Sequence, residues 1–182
     1  LTAYVALQHA QPGDAVGVLG LGGLGHLAVQ IAAKRGCLVS VISSSAHEAA
    51  ARELGAERFI DAAKPTAAEP GSLDLILVSS AVWADAAAVK HLLAPEGAVC
   101  FVDGGAPGQG WQLDLQAMAR RGQRVLTATA GGRREMDAFL RFVSAFGVKP
   151  RVETTPISNV NDAIAKLRAD DASQCTVIEA AP

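Results

Sequence analysis

The segment GLGGLG at residues 20–25 constrains the fold more than any other part of the sequence. It follows a short apolar run at residues 15–19 and precedes a stretch whose apolar residues have helical spacing. The pattern G-x-G-x-x-G between a strand and a helix is typical of a dinucleotide-binding turn. The segment therefore predicts a strand–turn–helix unit that binds a dinucleotide, with a tight turn that binds no ligand as the alternative.

Each glycine of this loop has a distinct expected role. Gly20 permits the tight turn, Gly22 lets a pyrophosphate approach the backbone, and Gly25 lets the helix lie close to the strand. The N–H groups of the helix N-terminus would then face the phosphates. The predicted cofactor-binding residues of the loop are Gly20, Leu21, Gly22, Gly23, Leu24 and Gly25.

Segments typical of strands alternate with segments typical of helices along the rest of the chain. This alternation predicts an α/β fold, a doubly wound parallel sheet of Rossmann type, over residues 1–150. The more polar residues 151–182 are predicted to form a short C-terminal strand–helix–strand tail. The predicted strands of the sheet are residues 15–20, 38–43, 58–61, 73–80, 98–105 and 124–130.

Two helices carry more specific expectations. The helix that begins near Trp83 is expected to end at Pro95 and Gly97. The helix near the end of the predicted sheet is amphipathic, with Met136, Leu140 and Val143 at positions i, i+4 and i+7.

Three serines stand at the end of the second predicted strand. A site that selects NAD usually has Asp or Glu there, which accepts a hydrogen bond from the ribose 2′-OH. Here Ser43, Ser44 and Ser45 take that place, and their hydroxyls favour NADP, with NAD still possible. Arg52 is a candidate cation for the 2′-phosphate. The serines also allow a helix start, with Ser45 as N-cap and Glu48 completing a capping box.

Two further strand ends are expected to meet the same crevice. The carboxyl ends of parallel strands lie together, so Ser79, Ser80 and Gly104 are candidates for the nicotinamide half of the site. Ordinary strand-to-helix turn chemistry explains each of them equally well.

Composition excludes several functions. A net charge of −2 and a pI of about 6.1 give no reason to expect nucleic acid as a partner. No apolar run reaches the roughly 18 residues of a membrane span, and residues 1–14 lack the basic region and the long apolar region expected of a signal peptide. Cys37, Cys100 and Cys175 are far apart, which predicts no metal site in this chain and suits reduced thiols in the cytoplasm.

The histidines give no catalytic pattern. His26 is expected to be a packed or hydrogen-bonded helix residue, while His9, His47 and His91 are expected at the surface. No residue of this chain is therefore predicted to be catalytic.

The segments LTAYVAL, GLGGLGH and VSVISSS together resemble the nucleotide-binding half of the zinc-dependent alcohol dehydrogenases of the medium-chain dehydrogenase/reductase superfamily. GLGGLGH followed by VISSS is most similar to the cinnamyl-alcohol-dehydrogenase-like, NADP-preferring branch. Two positions depart from that branch, since Glu48 stands in place of a phosphate-binding lysine and Cys175 stands where the closing strand usually has an arginine.

The resemblance implies hydride transfer between a nicotinamide cofactor and an alcohol or aldehyde. It places the catalytic zinc and its ligands in an N-terminal domain that precedes LTAY, so this chain is expected to be the C-terminal part and not to bind zinc. The tail strands would join that domain, and without it they are expected to be rearranged or paired with another chain. The edge strand 124–130 is the expected homodimer contact.

Two other functions stay open. The chain is alternatively a stand-alone, non-catalytic dinucleotide-binding module. It is also compatible with a zinc-free quinone or enoyl reductase of the same superfamily.

Overall fold

The computed structural model describes residues 1–79, 86–102, 112–168 and 175–180. Short 3₁₀ turns occur at Leu7–His9, Ser45–His47, Pro65–Ala67 and Ile157–Asn159. The helices are α1 (Thr2–Ala6), α2 (Gly25–Lys34), α3 (Glu48–Glu53), α4 (Ala86–Leu92), α5 (Leu115–Arg120), α6 (Arg133–Phe146) and α7 (Val160–Arg168). The strands are β1 (Ala15–Leu19), β2 (Leu38–Ser43), β3 (Arg58–Asp61), β4 (Leu73–Val78), β5 (Leu93–Phe101), β6 (Arg124–Thr127), β7 (Val152–Pro156) and β8 (Cys175–Glu179).

Six strands form one parallel sheet in the order β3-β2-β1-β4-β5-β6. The chain moves outward from β1 in one direction, then returns to β4 on the other side of β1. This reversal is the topological switch point at which doubly wound sheets bind ligands. The predicted α/β fold of Rossmann type is confirmed.

Buried side chains form two clusters, one on each face of the sheet. Alternate residues of β1 show the division, since Val16 and Val18 belong to the first cluster and Leu19 belongs to the second. Helices α1, α2 and α3 contribute to the first cluster, and α4 and α5 contribute to the second. Covering both faces explains why the strands are apolar on both sides.

Helix α6 is confirmed, but its buried face differs from the predicted one. Phe139, Phe142 and Val143 pack against the first cluster, whereas Met136 is 41% exposed and Leu140 is 53% exposed. The ring of Tyr4 in α1 lies 5.6 Å from that of Phe139 and 5.5 Å from that of Phe142. The helix therefore turns Phe139 and Phe142 inward, because their rings bury more apolar area than Met136 and Leu140.

The predicted end of the helix before β5 is wrong. Helix α4 ends at Leu92, and Pro95 and Gly97 lie in β5. The register of β4 with β5 advances from Leu73↔Leu93 to Leu75↔Ala98, so extra residues bulge out of β5. Glu96 adopts a positive φ of 61° in this bulge. The bulge accommodates the two residues that the sequence suggested as helix breakers.

The tail is a strand–helix–strand unit, as predicted. Its strands β7 and β8 pair with each other in parallel, with Val152 opposite Cys175. The expectation that these strands are rearranged or paired with another chain stays a prediction. Several of its apolar side chains remain exposed, among them Ile157 (55%), Leu167 (57%) and Val177 (44%).

None of the helices within the described ranges combines the length and the apolar character that crossing a membrane requires.

Candidate functional site

The glycine loop turns sharply between β1 and α2. Gly20 has a φ of 93°, which favours glycine, and its N–H donates to the carbonyl of Ile42 in β2 at 3.0 Å. A Cβ added at Gly25 would lie 2.0 Å from the carbonyl oxygen of Gly20. Only glycine at position 25 lets α2 begin this close to the end of β1.

Gly22 lies at the open side of the same loop. A Cβ at this position would meet no heavy atom within 4 Å, so no packing within the described chain requires glycine there. Nor do the backbone N–H groups of Gly22 and Gly23 donate to any acceptor in the part of the chain that the structure describes. The free N–H groups and the space in front of them suit a phosphate at the N-terminus of α2.

Ser79 holds the turn from behind. Its side chain is buried, and its single hydroxyl proton is shared between the carbonyl oxygens of Leu19 (3.0 Å from Oγ) and Gly20 (3.1 Å from Oγ). Its N–H also donates to the carbonyl of Leu19. This geometry gives Ser79 a structural role in the turn, and its contact with nicotinamide stays a prediction. Ser80 and Gly104 lie outside the described residues.

The serines at the end of β2 converge on a histidine. Nδ1 of His47 lies 3.0 Å from Oγ of Ser43 and 3.1 Å from Oγ of Ser44. His47, expected at the surface, is half-buried, and its spacing of four from Ser43 and three from Ser44 is the sequence signal for this contact. The three side chains form a polar cluster at the carboxyl edge of the sheet.

The predicted capping box is absent from this helix start. Residues Ser45–His47 form a 3₁₀ turn, and neither it nor α3 receives a side-chain cap. Glu48 instead faces Arg52, whose guanidinium lies 3.4 Å from its carboxylate and also donates to the carbonyl of Glu57. The guanidinium of Arg52 thus contacts Glu48 and Glu57 and not the serines. The expectation that Arg52 is the cation that binds the 2′-phosphate is therefore corrected.

His26 connects the loop to the tail. It is 2% exposed, and its Nδ1 lies 3.1 Å from the carbonyl oxygen of Gly22. Its Nε2 accepts from the N–H of Arg151, at 3.1 Å. The prediction of a packed, hydrogen-bonded helix residue is confirmed, whereas the partner Arg151 could not be found from local sequence.

Cys175 in β8 also reaches the loop, with its Sγ 3.8 Å from the carbonyl oxygen of Gly23. The other two thiols are buried. Burial raises the pKa of Cys100 to about 11, and it also raises the pKa of Cys37.

The His, Cys, Asp and Glu side chains within the described residues do not form a site that fits a zinc ion. Within the described ranges, no three His, Cys, Asp or Glu side chains come together in a way that would bind a metal. No chemical step is therefore assigned to zinc in this chain.

The sheet order and the glycine loop define an α/β protein of Rossmann type. The family model described as zinc-binding dehydrogenase matches residues 23–145. The chain belongs to this zinc-binding dehydrogenase family.

Several similar proteins are named as cinnamyl alcohol dehydrogenases. A probable cinnamyl alcohol dehydrogenase 8B of Oryza sativa subsp. japonica is 36% identical over 174 aligned positions, and the match covers 93% of this chain and 39% of the relative. The structure of a cinnamyl alcohol dehydrogenase from Sorghum bicolor is similar with a TM-score of 0.88 and 32% identity, covering 97% of this chain and 52% of that one. The chain thus spans about two fifths to half the length of the relatives it matches.

Two more distant structures show the same fold. CAD from Helicobacter pylori, complexed with NADP(H), has a TM-score of 0.84 at 21% identity and covers 98% of this chain and 51% of its own. The structure of acetophenone reductase from Geotrichum candidum, in complex with NAD, has a TM-score of 0.81 at 24% identity, and the match covers 98% of this chain and 52% of the reductase.

Proposed function

We propose that this chain binds a nicotinamide dinucleotide at the carboxyl edge of β1 and β2, and that the preferred cofactor is NADP(H). The observation that carries the proposal is the open backbone at Gly22, immediately before the ten-residue helix α2. The pyrophosphate would accept hydrogen bonds from the loop N–H groups and interact favourably with the positive end of the helix dipole. The two distant structures that carry NADP(H) or NAD support this class of ligand.

The preference for NADP(H) rests on the cluster at the end of β2. When a serine hydroxyl donates to Nδ1 of His47, Nε2 carries the proton and can donate to a phosphate oxygen. The carboxylate of Asp61 in neighbouring β3 accepts from the N–H of Ala63, and Glu48 faces Arg52. At this edge, the hydroxyls of Ser43 and Ser44 and the imidazole of His47 can face a 2′-phosphate, whereas the carboxylates of Glu48 and Asp61 already have partners.

We infer that the chain is the cofactor domain of a longer zinc-type alcohol dehydrogenase. When bound, the nicotinamide supplies or accepts a hydride, and the substrate would be an alcohol or an aldehyde. The residues of this chain would bind and orient the cofactor, while the rest of the enzyme would supply the metal ligands. The exposed apolar side chains of the tail support packing against that remainder, as the tail is too small to bury them itself.

We also propose that a homodimer forms through the edge strand of the sheet, residues 124–130. Strand β6 lies at one end of the strand order and leaves Val125 43% exposed. An unpaired edge is a template for a second copy. Sedimentation of the parent protein and of Val125→Lys tests this, since a dimer through this edge would dissociate in the variant and a dimer through another surface would not.

Titration with NADPH and, separately, with NADH tests the cofactor proposal. We expect NADPH to bind more tightly than NADH by nicotinamide fluorescence. His47→Ala should weaken NADPH binding and leave NADH binding unchanged, whereas His9→Ala, at an exposed position outside the site, should change neither. Tighter binding of NADH would refute the preference for NADP(H), and binding of neither would refute the cofactor site in this chain.

A further inference from the structure

The hydrogen bonds of His26 define one tautomer. The carbonyl oxygen of Gly22 can only accept, so Nδ1 must carry the proton. The backbone N–H of Arg151 can only donate, so Nε2 must carry the lone pair. The buried imidazole is therefore assigned, from its partners, as neutral and protonated at Nδ1. It links a loop residue to one that follows it by 129 positions in the sequence (151 − 22).

The segment that His26 contacts is held at several points. Gln30, one turn further along α2, donates to the carbonyl of Lys149 at 2.9 Å and accepts from its N–H at 3.2 Å. The guanidinium of Arg151 lies 2.7 Å from the carboxylate of Glu53 at the end of α3. Residues 149–151 are thus fixed to the sheet domain immediately before β7 begins.

Of these contacts, only the one made by His26 continues into the glycine loop. Gln30 bonds to Lys149 and to the backbone carbonyl of His26, and Glu53 lies on another helix. At the far side of the tail, Cys175 makes a second approach to the loop at Gly23, at a looser 3.8 Å. The imidazole of His26 therefore joins the start of the tail directly to the carbonyl of Gly22, which also accepts from the backbone N–H of His26 at 3.1 Å.

We propose that His26 is a positioning residue for the cofactor site. It holds the Gly22 carbonyl through Nδ1 and the start of the tail through Nε2, so that cofactor binding at the loop and attachment of the tail strengthen each other. Coupling of this kind is reciprocal for binding free energies. The inference rests on the proposed dinucleotide site, because Gly22 is the residue that the phosphates would approach.

Two substitutions separate the bonds of His26. In His26→Asn the side-chain amide can still donate to Gly22 but is too short to reach Arg151. In His26→Gln the longer side chain can accept from Arg151 but loses the donor to Gly22. Each variant removes one buried hydrogen bond, so a merely structural residue would lose stability and NADPH affinity to a similar degree in both.

We expect both variants to bind NADPH more weakly than the parent protein, His26→Asn by about threefold because the link to the tail is lost, and His26→Gln by about tenfold because the contact to the Gly22 carbonyl is lost as well. Gln30→Met is the matched control, as it releases Lys149 without removing a contact to the glycine loop, and it should stay within about twofold. Equal weakening in both His26 variants would overturn the proposal. So would weakening of Gln30→Met to the level of His26→Gln.

Hydrogen exchange at the Arg151 amide provides a readout that does not depend on affinity. NADPH should slow this exchange in the parent protein, and it should not do so in His26→Asn, in which the amide has lost its acceptor. No slowing in the parent, despite NADPH binding, would overturn the coupling.

The same readout separates this inference from the proposed function. If the parent protein binds neither NADPH nor NADH, the cofactor proposal fails and the coupling fails with it. Exchange without ligand then still reports on the link itself, with faster exchange at Arg151 in His26→Asn supporting the contact and equal exchange refuting it.

Discussion

Substituting Gly25 by alanine should destabilise the folded protein strongly. The new Cβ would lie 2.0 Å from the carbonyl oxygen of Gly20 and 2.9 Å from Oγ of Ser79. The first distance is about 1 Å shorter than Cβ atoms tolerate, and its partner is backbone that cannot rotate away. Helix α2 would therefore have to move away from β1.

The expected cost combines two effects. Overpacking of a close contact typically costs about 1–3 kcal/mol. Displacing Ser79 weakens the shared hydrogen bond from its hydroxyl to the carbonyls of Leu19 and Gly20, which adds about 0.5–1.5 kcal/mol. The free energy of unfolding should thus fall by about 2–4 kcal/mol, or roughly 5–15 °C in Tm for a protein of this size.

Gly22→Ala is the control for this experiment. A Cβ at position 22 would meet nothing within 4 Å, so the free energy of unfolding should change by less than about 0.5 kcal/mol. Binding of NADPH should nevertheless weaken about tenfold or more, because the methyl group would occupy the space that the pyrophosphate needs. Urea unfolding and NADPH titration of both variants give the two readouts. A Gly25→Ala protein as stable as the parent would refute the tight contact between α2 and β1.

Three further perturbations test the packing and the titrating groups. Phe142→Ala should lower the free energy of unfolding by about 2–3 kcal/mol, since its ring packs 5.5 Å from Tyr4, whereas Met136→Ala, 41% exposed, should cost less than about 1 kcal/mol by urea unfolding. Burial raises the pKa of the Cys100 thiol to about 11, so as the pH rises the unfolded chain loses the thiol proton before the folded protein does. The urea midpoint of the parent protein should therefore fall as the pH rises from 9 to 11, and it should fall less in Cys100→Ala. Hydrogen bonds from two backbone N–H groups, that of Glu135 itself and that of Gly132, hold the pKa of the Glu135 carboxyl below its usual value. The ionised carboxylate therefore stabilises the folded protein, and this stabilisation is lost as the pH falls through the pKa of the folded state. The difference in urea midpoint between the parent protein and Glu135→Ala should accordingly disappear in acid and persist at pH 7.

The sequence predicted the sheet because its signals are local. Most strands of the sheet are apolar runs, and every strand of the sheet except β3 is followed by an α-helix, so the parallel order follows from general rules of connection. The glycine loop could be predicted for the same reason, because the strand, the turn and the helix that define it lie within about twenty consecutive residues.

The errors arose where a distant partner decides the outcome. Pro95 and Gly97 look like helix breakers, but pairing of Leu93 with Leu73 draws this segment into β5. Met136 and Leu140 fit helical spacing as well as Phe139 and Phe142 do, and only the position of Tyr4 selects the aromatic face. The contact of His26 with Arg151 depends on the return of the chain after α6, and no short pattern records it.

The contacts between tail and loop set a limit on when the site can be completed during synthesis. The hydrogen bond from Arg151 to His26 spans 125 positions, and the approach of Cys175 to Gly23 spans 152. A ribosome releases residues from the N-terminus onward, at about 5–20 residues per second, so the loop emerges several seconds before its last partners. Closing so long a segment is slow compared with forming a local turn. The nascent chain would therefore carry an unfinished glycine loop until residues 151 and 175 have also been made.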